Sequence, residues 1–289
     1  MLTKGKAAIR RTALLVGFGL VLLPAGLSAA EKVNTYLALG DSVAFGLDVR
    51  LLDPAHPPSP SQFAGYPEII GFLEGLPASR LIDTSCPGET SKSFIDSDTQ
   101  DYGCNGPGPQ GQPPFKASIG LHVNYLGMSQ LAYAMAQLST NHKINLVSLG
   151  IGSNDVLIAL RDCNNDAVCA APRIPGILQS YAQNLAQILG AIRSKYSGTL
   201  ILVKYYSPSA DLNSIAVALN SVMQSVGSNF NVKFADGYAA FQVVSAPFGG
   251  NPCRAGLLVP LGPGVCDIHP SKFGSTVLAA TIETTRLTQ

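Results

Sequence analysis

The sequence is poor in charge: Asp, Glu, Lys and Arg make up only 13% of its 289 residues, and no block of Lys or Arg occurs after the first eleven positions. Phosphate recognition and anionic membrane surfaces both require clustered positive charge, so nucleic acid is not an expected partner and neither is a lipid headgroup surface. No apolar run reaches the roughly 20 residues that a membrane span needs. There is no C-x-x-C, and no His lies at ligand spacing from two cysteines, which argues against a cysteine-based zinc site. Internal repeats are missing, as is any linker that would divide the chain. What remains is a length suited to one large core.

The first 30 residues do not look like part of that core. Lys4, Lys6, Arg10 and Arg11 precede the uncharged apolar stretch Thr12 to Gly26, and Ser28-Ala29-Ala30 supplies small residues for cleavage. That is the layout of a secretory signal peptide, with an uncleaved anchor as the alternative. Arg10-Arg11 leaves twin-arginine export open beside the general route. No Cys lies near the cut to carry a lipid. Removing residues 1–30 takes away four of the 19 basic residues and no acidic one, leaving 15 against 18 and a net charge of −3.

Six cysteines remain. In an exported chain they are expected to be oxidised, although six allow about 15 pairings and sequence does not choose among them. The nearest-neighbour solution, Cys86–Cys104, Cys163–Cys169 and Cys253–Cys266, closes loops rich in Gly, Pro, Asn or Asp.

Two apolar runs end in glycine: Thr35 to Leu39 before Gly40-Asp41-Ser42, and Ile144 to Leu149 before Gly150-Ile151-Gly152-Ser153-Asn154. Short apolar runs bounded by turn signals read as buried strands. Residues 80–84, 199–205 and 231–235 are further strand candidates. Helical spacing falls between them, over 66–76, 129–139, 174–196, 214–226 and 271–286. Alternating strands and helices predict a doubly wound α/β sheet. Cys86 to Tyr125 and Phe248 to Pro270 do not fit the alternation and read as long functional loops.

Ligands of open parallel sheets bind outside the carboxyl ends of the strands. Ser42, the turn Ser85 to Thr90, and Gly152-Ser153-Asn154-Asp155 all follow strands, and Asp267-Ile268-His269-Pro270 precedes the last helix. A serine hydroxyl needs a base to remove its proton during attack, and His has a suitable pKa. The anionic intermediate needs donors aimed at its oxygen. Ser42, His269, Gly88 and Asn154 supply one candidate for each role. The plainer reading of Ser42 is a turn serine capping the next helix. Asp41 and Asp155 are expected to brace their loops. His56 and His142 read as surface residues, and His122 as structural or solvated.

G-D-S near the mature start, the glycine of C-P-G-E-T, G-S-N-D in the middle and D-I-H-P near the end resemble, in order, the four blocks of the SGNH (GDSL) hydrolases. G-D-S alone arises by chance in roughly one chain in ten of this length; the order and strand-end placement make the match specific. The resemblance implies a flavodoxin-like three-layer α/β/α sandwich around a mainly parallel five-stranded sheet. It implies Ser42 as nucleophile and His269 as base. The Ser42 and Gly88 N–H groups and the Asn154 side chain would form the oxyanion hole, with no metal or organic cofactor. There are departures. Val43 stands where the family name has Leu. Cys266 stands where the family usually has Asp, and the acid, Asp267, is two residues before His269. Either Asp267 or a backbone carbonyl then orients the base.

The expected activity is that of a secreted, monomeric ester hydrolase acting on a small-molecule or lipid ester. Phe94, Phe115, Tyr125, Phe248, Leu257 and Leu258 are the expected apolar walls of its acyl site. Polysaccharide deacetylation, thioester hydrolysis, acyl transfer, and a non-catalytic glycan- or lipid-binding module on the same fold are the alternatives.

Overall fold

The alternation of strand and helix in the sequence is realised in the computed structural model, which describes residues 31–53, 55–164 and 166–288. The expected leader over residues 1–30 lies outside the described residues. In chain order the elements are β1 (Thr35–Gly40), α1 (Ser42–Phe45), α2 (Tyr66–Leu73), β2 (Leu81–Asp83), α3 (Ser91–Ile95), α4 (Phe115–Ser118), α5 (Gln130–Thr140) and β3 (Ile144–Gly150). They continue with α6 (Ser153–Asp162), α7 (Ala167–Ala170), α8 (Ile174–Lys195), β4 (Thr199–Lys204), α9 (Asn213–Gly227), β5 (Lys233–Asp236), α10 (Gly237–Ser245), β6 (Leu258–Gly262), β7 (Val265–Pro270) and α11 (Lys272–Leu287).

The main sheet has the order β2-β1-β3-β4-β5, and every pairing in it is parallel. Alternate strand residues point to opposite faces, so each strand feeds two cores. Leu37, Leu39, Val147, Leu149, Leu200 and Leu202 meet Phe94 of α3, Leu131 and Leu138 of α5, Leu185 and Ile188 of α8, and Leu219 and Met223 of α9. Tyr36, Ala38, Leu146, Ile201, Val203 and Ala235 meet Tyr66 and Ile70 of α2, Phe241 of α10, and Leu278, Ala279 and Ile282 of α11. The result is the expected three-layer arrangement. Successive crossovers leave β1 on one side and β3 on the other at the point where the strand order reverses, which is where open α/β sheets gather ligands.

Two expectations are corrected. Phe248 to Pro270 is not a loop without structure: β6 and β7 form a two-stranded antiparallel sheet turning at Gly262-Pro263-Gly264. Leu257, Leu258 and Val259 are buried beneath it. The segment from Cys86 to Tyr125 contains α3 and α4. Elsewhere it is held by side chains standing in for a ladder, notably Asp101, which accepts the N–H groups of Gly103, Asn105 and Gly106.

All six cysteines pair in nearest-neighbour fashion, as Cys86–Cys104, Cys163–Cys169 and Cys253–Cys266. Among the described residues no helix is long and apolar enough to cross a membrane.

Candidate active site

The nucleophile candidate is set by a tight strand-to-helix turn. Asp41 caps α1, its carboxylate accepting the Val43 N–H at 2.9 Å. Ser42 is the first helical residue, so its own N–H lies in the unpaired first turn. Gly40 is required by space: a Cβ there would lie 2.5 Å from the Gly150 carbonyl oxygen of the adjacent strand. The other Asp41 oxygen accepts the hydroxyls of Tyr205, at 2.5 Å, and Ser153, at 2.8 Å. Burial pushes the Asp41 carboxyl up, and these hydrogen bonds only partly offset it. Asp155 is half-buried, accepts the Ser91 N–H and hydroxyl, and is pushed up to about 6 by desolvation. Both aspartates therefore brace loops, as the sequence suggested.

The late D-I-H-P segment ends β7. His269 Nε2 lies 2.9 Å from Ser42 Oγ. On the other side of the ring, His269 Nδ1 makes a close hydrogen bond with Asp267 Oδ1, which also accepts the His269 backbone N–H at 3.0 Å. A spacing of two puts both side chains on the same face of a strand, so the departure from the family's usual spacing still brings a carboxylate to Nδ1. Burial raises the Asp267 carboxyl, but the hydrogen bond and charge of His269 outweigh it, and the net shift is downward. The hairpin is fastened in four ways. Cys266 is bonded to Cys253. The Tyr206 hydroxyl donates to the Ile268 carbonyl at 2.7 Å. The Ser271 N–H and hydroxyl donate to the Leu257 and Gly256 carbonyls.

Gly88 and Asn154 face the same corner. Gly88 has φ +88°, and a Cβ there would lie 2.6 Å from the Tyr102 carbonyl, so the turn carrying its N–H admits no side chain. Asn154, in the first turn of α6, donates one amide N–H to the Glu89 carbonyl at 2.8 Å, and the second N–H is available to a ligand.

Sequence reasoning missed the network that locks this corner. Glu89 is fully buried. Its carboxylate accepts Ser93 Oγ (2.6 Å), Asn105 Nδ2 (3.0 Å) and Gln130 Nε2 (3.1 Å). Gln130 in turn bonds both the N–H and the carbonyl of Gly40. The turn bearing Gly88 is thus tied to the strand end bearing Ser42. Burial pushes Glu89 up to about 7, against the opposing Ser93 and Gln130 hydrogen bonds. Tyr205 and Tyr206 were also missed, although they follow β4 at the same sheet edge.

Two clefts open on either side of the pair. One runs between α6 and α9 and is walled by Val156, Leu157, Leu160, Leu212, Ile215, Ala216 and Leu219. The other is bounded by Pro87, Gly88, Tyr102, Gln112, Phe115 and Asn154. Ser42, Leu157, Ile268 and His269 border both. Of the six expected acyl-wall residues, only Phe115 lines either cleft. Phe94, Tyr125, Leu257 and Leu258 are buried in the cores, and Phe248 is exposed. His56 and His142 are exposed, as expected. His122 packs against the Phe45 ring at a tilt, away from the clefts.

No family model matches the sequence, and no curated protein matches it. Solved structures do. Phospholipase A1 from Streptomyces albidoflavus NA297 aligns at 16% identity over 88% of this chain and 99% of its own, with a TM-score of 0.54. An acetyl xylan esterase from Geobacillus stearothermophilus aligns at 17% identity over 89% and 97%, also with a TM-score of 0.54. A protein assigned as a GDSL-like lipase from Parabacteroides merdae aligns at 14% identity over 90% and 98%, again at 0.54. At these identities the likeness is one of fold, and the fold is that of the GDSL hydrolases.

Proposed function

We propose that this chain, built on the fold of the GDSL ester hydrolases, is itself a serine carboxylic-ester hydrolase. The observation that carries the reading is the 2.9 Å hydrogen bond between Ser42 Oγ and His269 Nε2, with Asp267 on the far ring nitrogen. Ser42 Oγ attacks the ester carbonyl carbon while His269 Nε2 takes its proton. Asp267 holds the tautomer that leaves Nε2 free and stabilises the imidazolium. The Ser42 and Gly88 N–H groups and the free Asn154 amide N–H receive the oxyanion. As the carbonyl re-forms, the C–O bond to the alcohol breaks and His269 returns the proton to the leaving oxygen. Water then repeats the sequence on the acyl-enzyme, releasing the acid and Ser42.

The apolar cleft between α6 and α9 favours an acyl group of several carbons, which removes that lining from water at about 0.8 kcal/mol per buried methylene. An acetyl group would leave most of it unfilled, so a longer-chain ester, lipid esters included, is a better fit than a polysaccharide acetate. The cleft beside Gly88, on the other side of the Ser42–His269 pair, is left to the alcohol part. Action outside the cytoplasm is part of the proposal. It is supported by the leader-like composition of residues 1–30 and by three disulfides.

The test is hydrolysis of p-nitrophenyl esters from acetyl to palmitoyl by the oxidised protein and by Ser42→Ala, together with fluorophosphonate labelling. Expected are a preference for chains beyond acetyl, labelling at Ser42, and loss of both in the variant. Folded protein that neither labels nor turns over any ester would overturn the hydrolase reading in favour of a binding module. An acetyl optimum would leave the serine chemistry standing and redirect the substrate to the deacetylase.

A further inference from the structure

Apart from the catalytic corner, three titratable side chains from three segments converge on one small volume. They are Glu68 in α2, Asp83 at the end of β2, and His122 between α4 and α5. His122 Nε2 lies 3.8 Å from Glu68 Oε1 and 3.9 Å from Asp83 Oδ2, and the three atoms lie within 4.8 Å of one another. The remaining carboxylate oxygens are already engaged. Glu68 Oε2 accepts the Gly65 N–H, and Asp83 Oδ1 accepts the Ser85 N–H and hydroxyl. Asp83 is 1% exposed, and its Oδ2, aimed at this volume, has no hydrogen-bond partner. Among the described residues, His122 is the only ion-pair partner of either carboxylate. The buried hydroxyls of Tyr36, Tyr66 and Tyr125 also interact with the pair. Two desolvated carboxylates and no fixed cation leave negative charge that a buried site does not sustain.

We infer that Glu68 Oε1, Asp83 Oδ2 and His122 Nε2 form a binding site for one divalent transition-metal cation of the Zn²⁺ type. The Phe45 carbonyl oxygen, 3.4 Å from the same His nitrogen, offers a fourth donor. One imidazole with oxygen donors suits Zn²⁺ better than Ca²⁺ or Mg²⁺, which take oxygen almost exclusively. A tetrahedral Zn²⁺ site at metal–ligand distances of about 2.0 Å sets its ligands about 3.3 Å apart. The donors therefore close by a few tenths of an ångström each. A 2+ ion cancels the two carboxylate charges, and a metal that displaces protons from its ligands releases them to solvent as it binds. The cation takes no part in ester chemistry. It would tie α1 through Phe45 to α2 and to the end of β2, and so brace the helix that begins with Ser42 and the turn that leads to Gly88. The competing arrangement is a proton shared between Glu68 and Asp83, which requires no metal.

Chelator-treated, oxidised full-length protein titrated with ZnCl₂ near neutral pH tests this. Calorimetry should give one Zn²⁺ per chain with proton release. The Tm should rise by roughly 5–10 °C at a hundredfold excess over Kd. Both effects should disappear in Asp83→Asn and in His122→Gln and persist in His56→Ala, which removes an exposed histidine. No saturable binding, or binding unchanged in Asp83→Asn and His122→Gln, would overturn the site in favour of the shared proton. If those variants do not fold, X-ray absorption of the Zn²⁺-loaded wild type decides: one imidazole among oxygen donors supports the site, and any other ligand set refutes it.

Discussion

In the proposed mechanism Asn154 carries two tasks on a single amide group: one N–H holds the Glu89 carbonyl and the other receives the oxyanion. Asn154→Ala should therefore lower kcat by about 10²–10³-fold with little change in KM, the pattern of a donor used mainly in the transition state. Asp267→Asn should cost about 10³-fold or more in kcat/KM, because an amide can present its N–H to Nδ1 and fix the wrong tautomer. The Asp267 carboxyl is lowered in the folded chain, so its contribution to stability is complete above the ordinary value of 3.8 and is lost as pH falls through the lowered one. Ser42, Gly88, Asn154 and His269 were legible as candidates because each sits in a short local pattern at a strand end, and the structure brings them to one corner. Glu89, Gln130 and Tyr206 act through buried hydrogen bonds to partners distant in sequence, which leave no local pattern. The acyl walls were misplaced for a related reason: an apolar residue in a loop reads the same whether it faces a cleft, as Phe115 does, or the core, as Phe94 and Leu257 do.

Among the elements, the turn after β2 and the β6–β7 hairpin carry the site and differ in what holds them. The turn depends on a buried carboxyl whose folded pKa is raised from 4.5 to about 7. The folded chain then holds a proton that the unfolded chain has released, so stability falls as pH rises from about 4.5 to 7 and levels above that, by about 3 kcal/mol from this group. Glu89→Gln should flatten that part of a Tm-against-pH profile. The hairpin depends on Cys253–Cys266. Replacing both cysteines by serine should lower Tm by roughly 6–12 °C and reduce kcat as well, since His269 sits three residues from Cys266. The same change at Cys163 and Cys169, beyond the far end of α6, should lower Tm and leave kcat near the wild-type value. The long helices were legible from their spacing. The hairpin was not, because Pro260 interrupts its first strand and Gly-Pro-Gly resembles open loop.

Across residues 32–288, topology sets where the candidate site forms. The β2-β1-β3-β4-β5 order brings the ends of β1 and β3 together, and that junction places Ser42 beside Asn154. The proposed acyl cleft lies between the helices flanking it. Ala216 is one of the smaller residues of the apolar cleft, and Ala216→Phe should shift the ester-series optimum toward shorter acyl chains while labelling of Ser42 by a small fluorophosphonate persists. The Ser42–His269 hydrogen bond closes across 227 residues of sequence. A ribosome adding roughly 5–20 residues per second needs on the order of 10–45 s to make the intervening chain. Throughout that interval Ser42 exists without His269. A chain still being synthesised therefore lacks the pair on which the proposed chemistry depends.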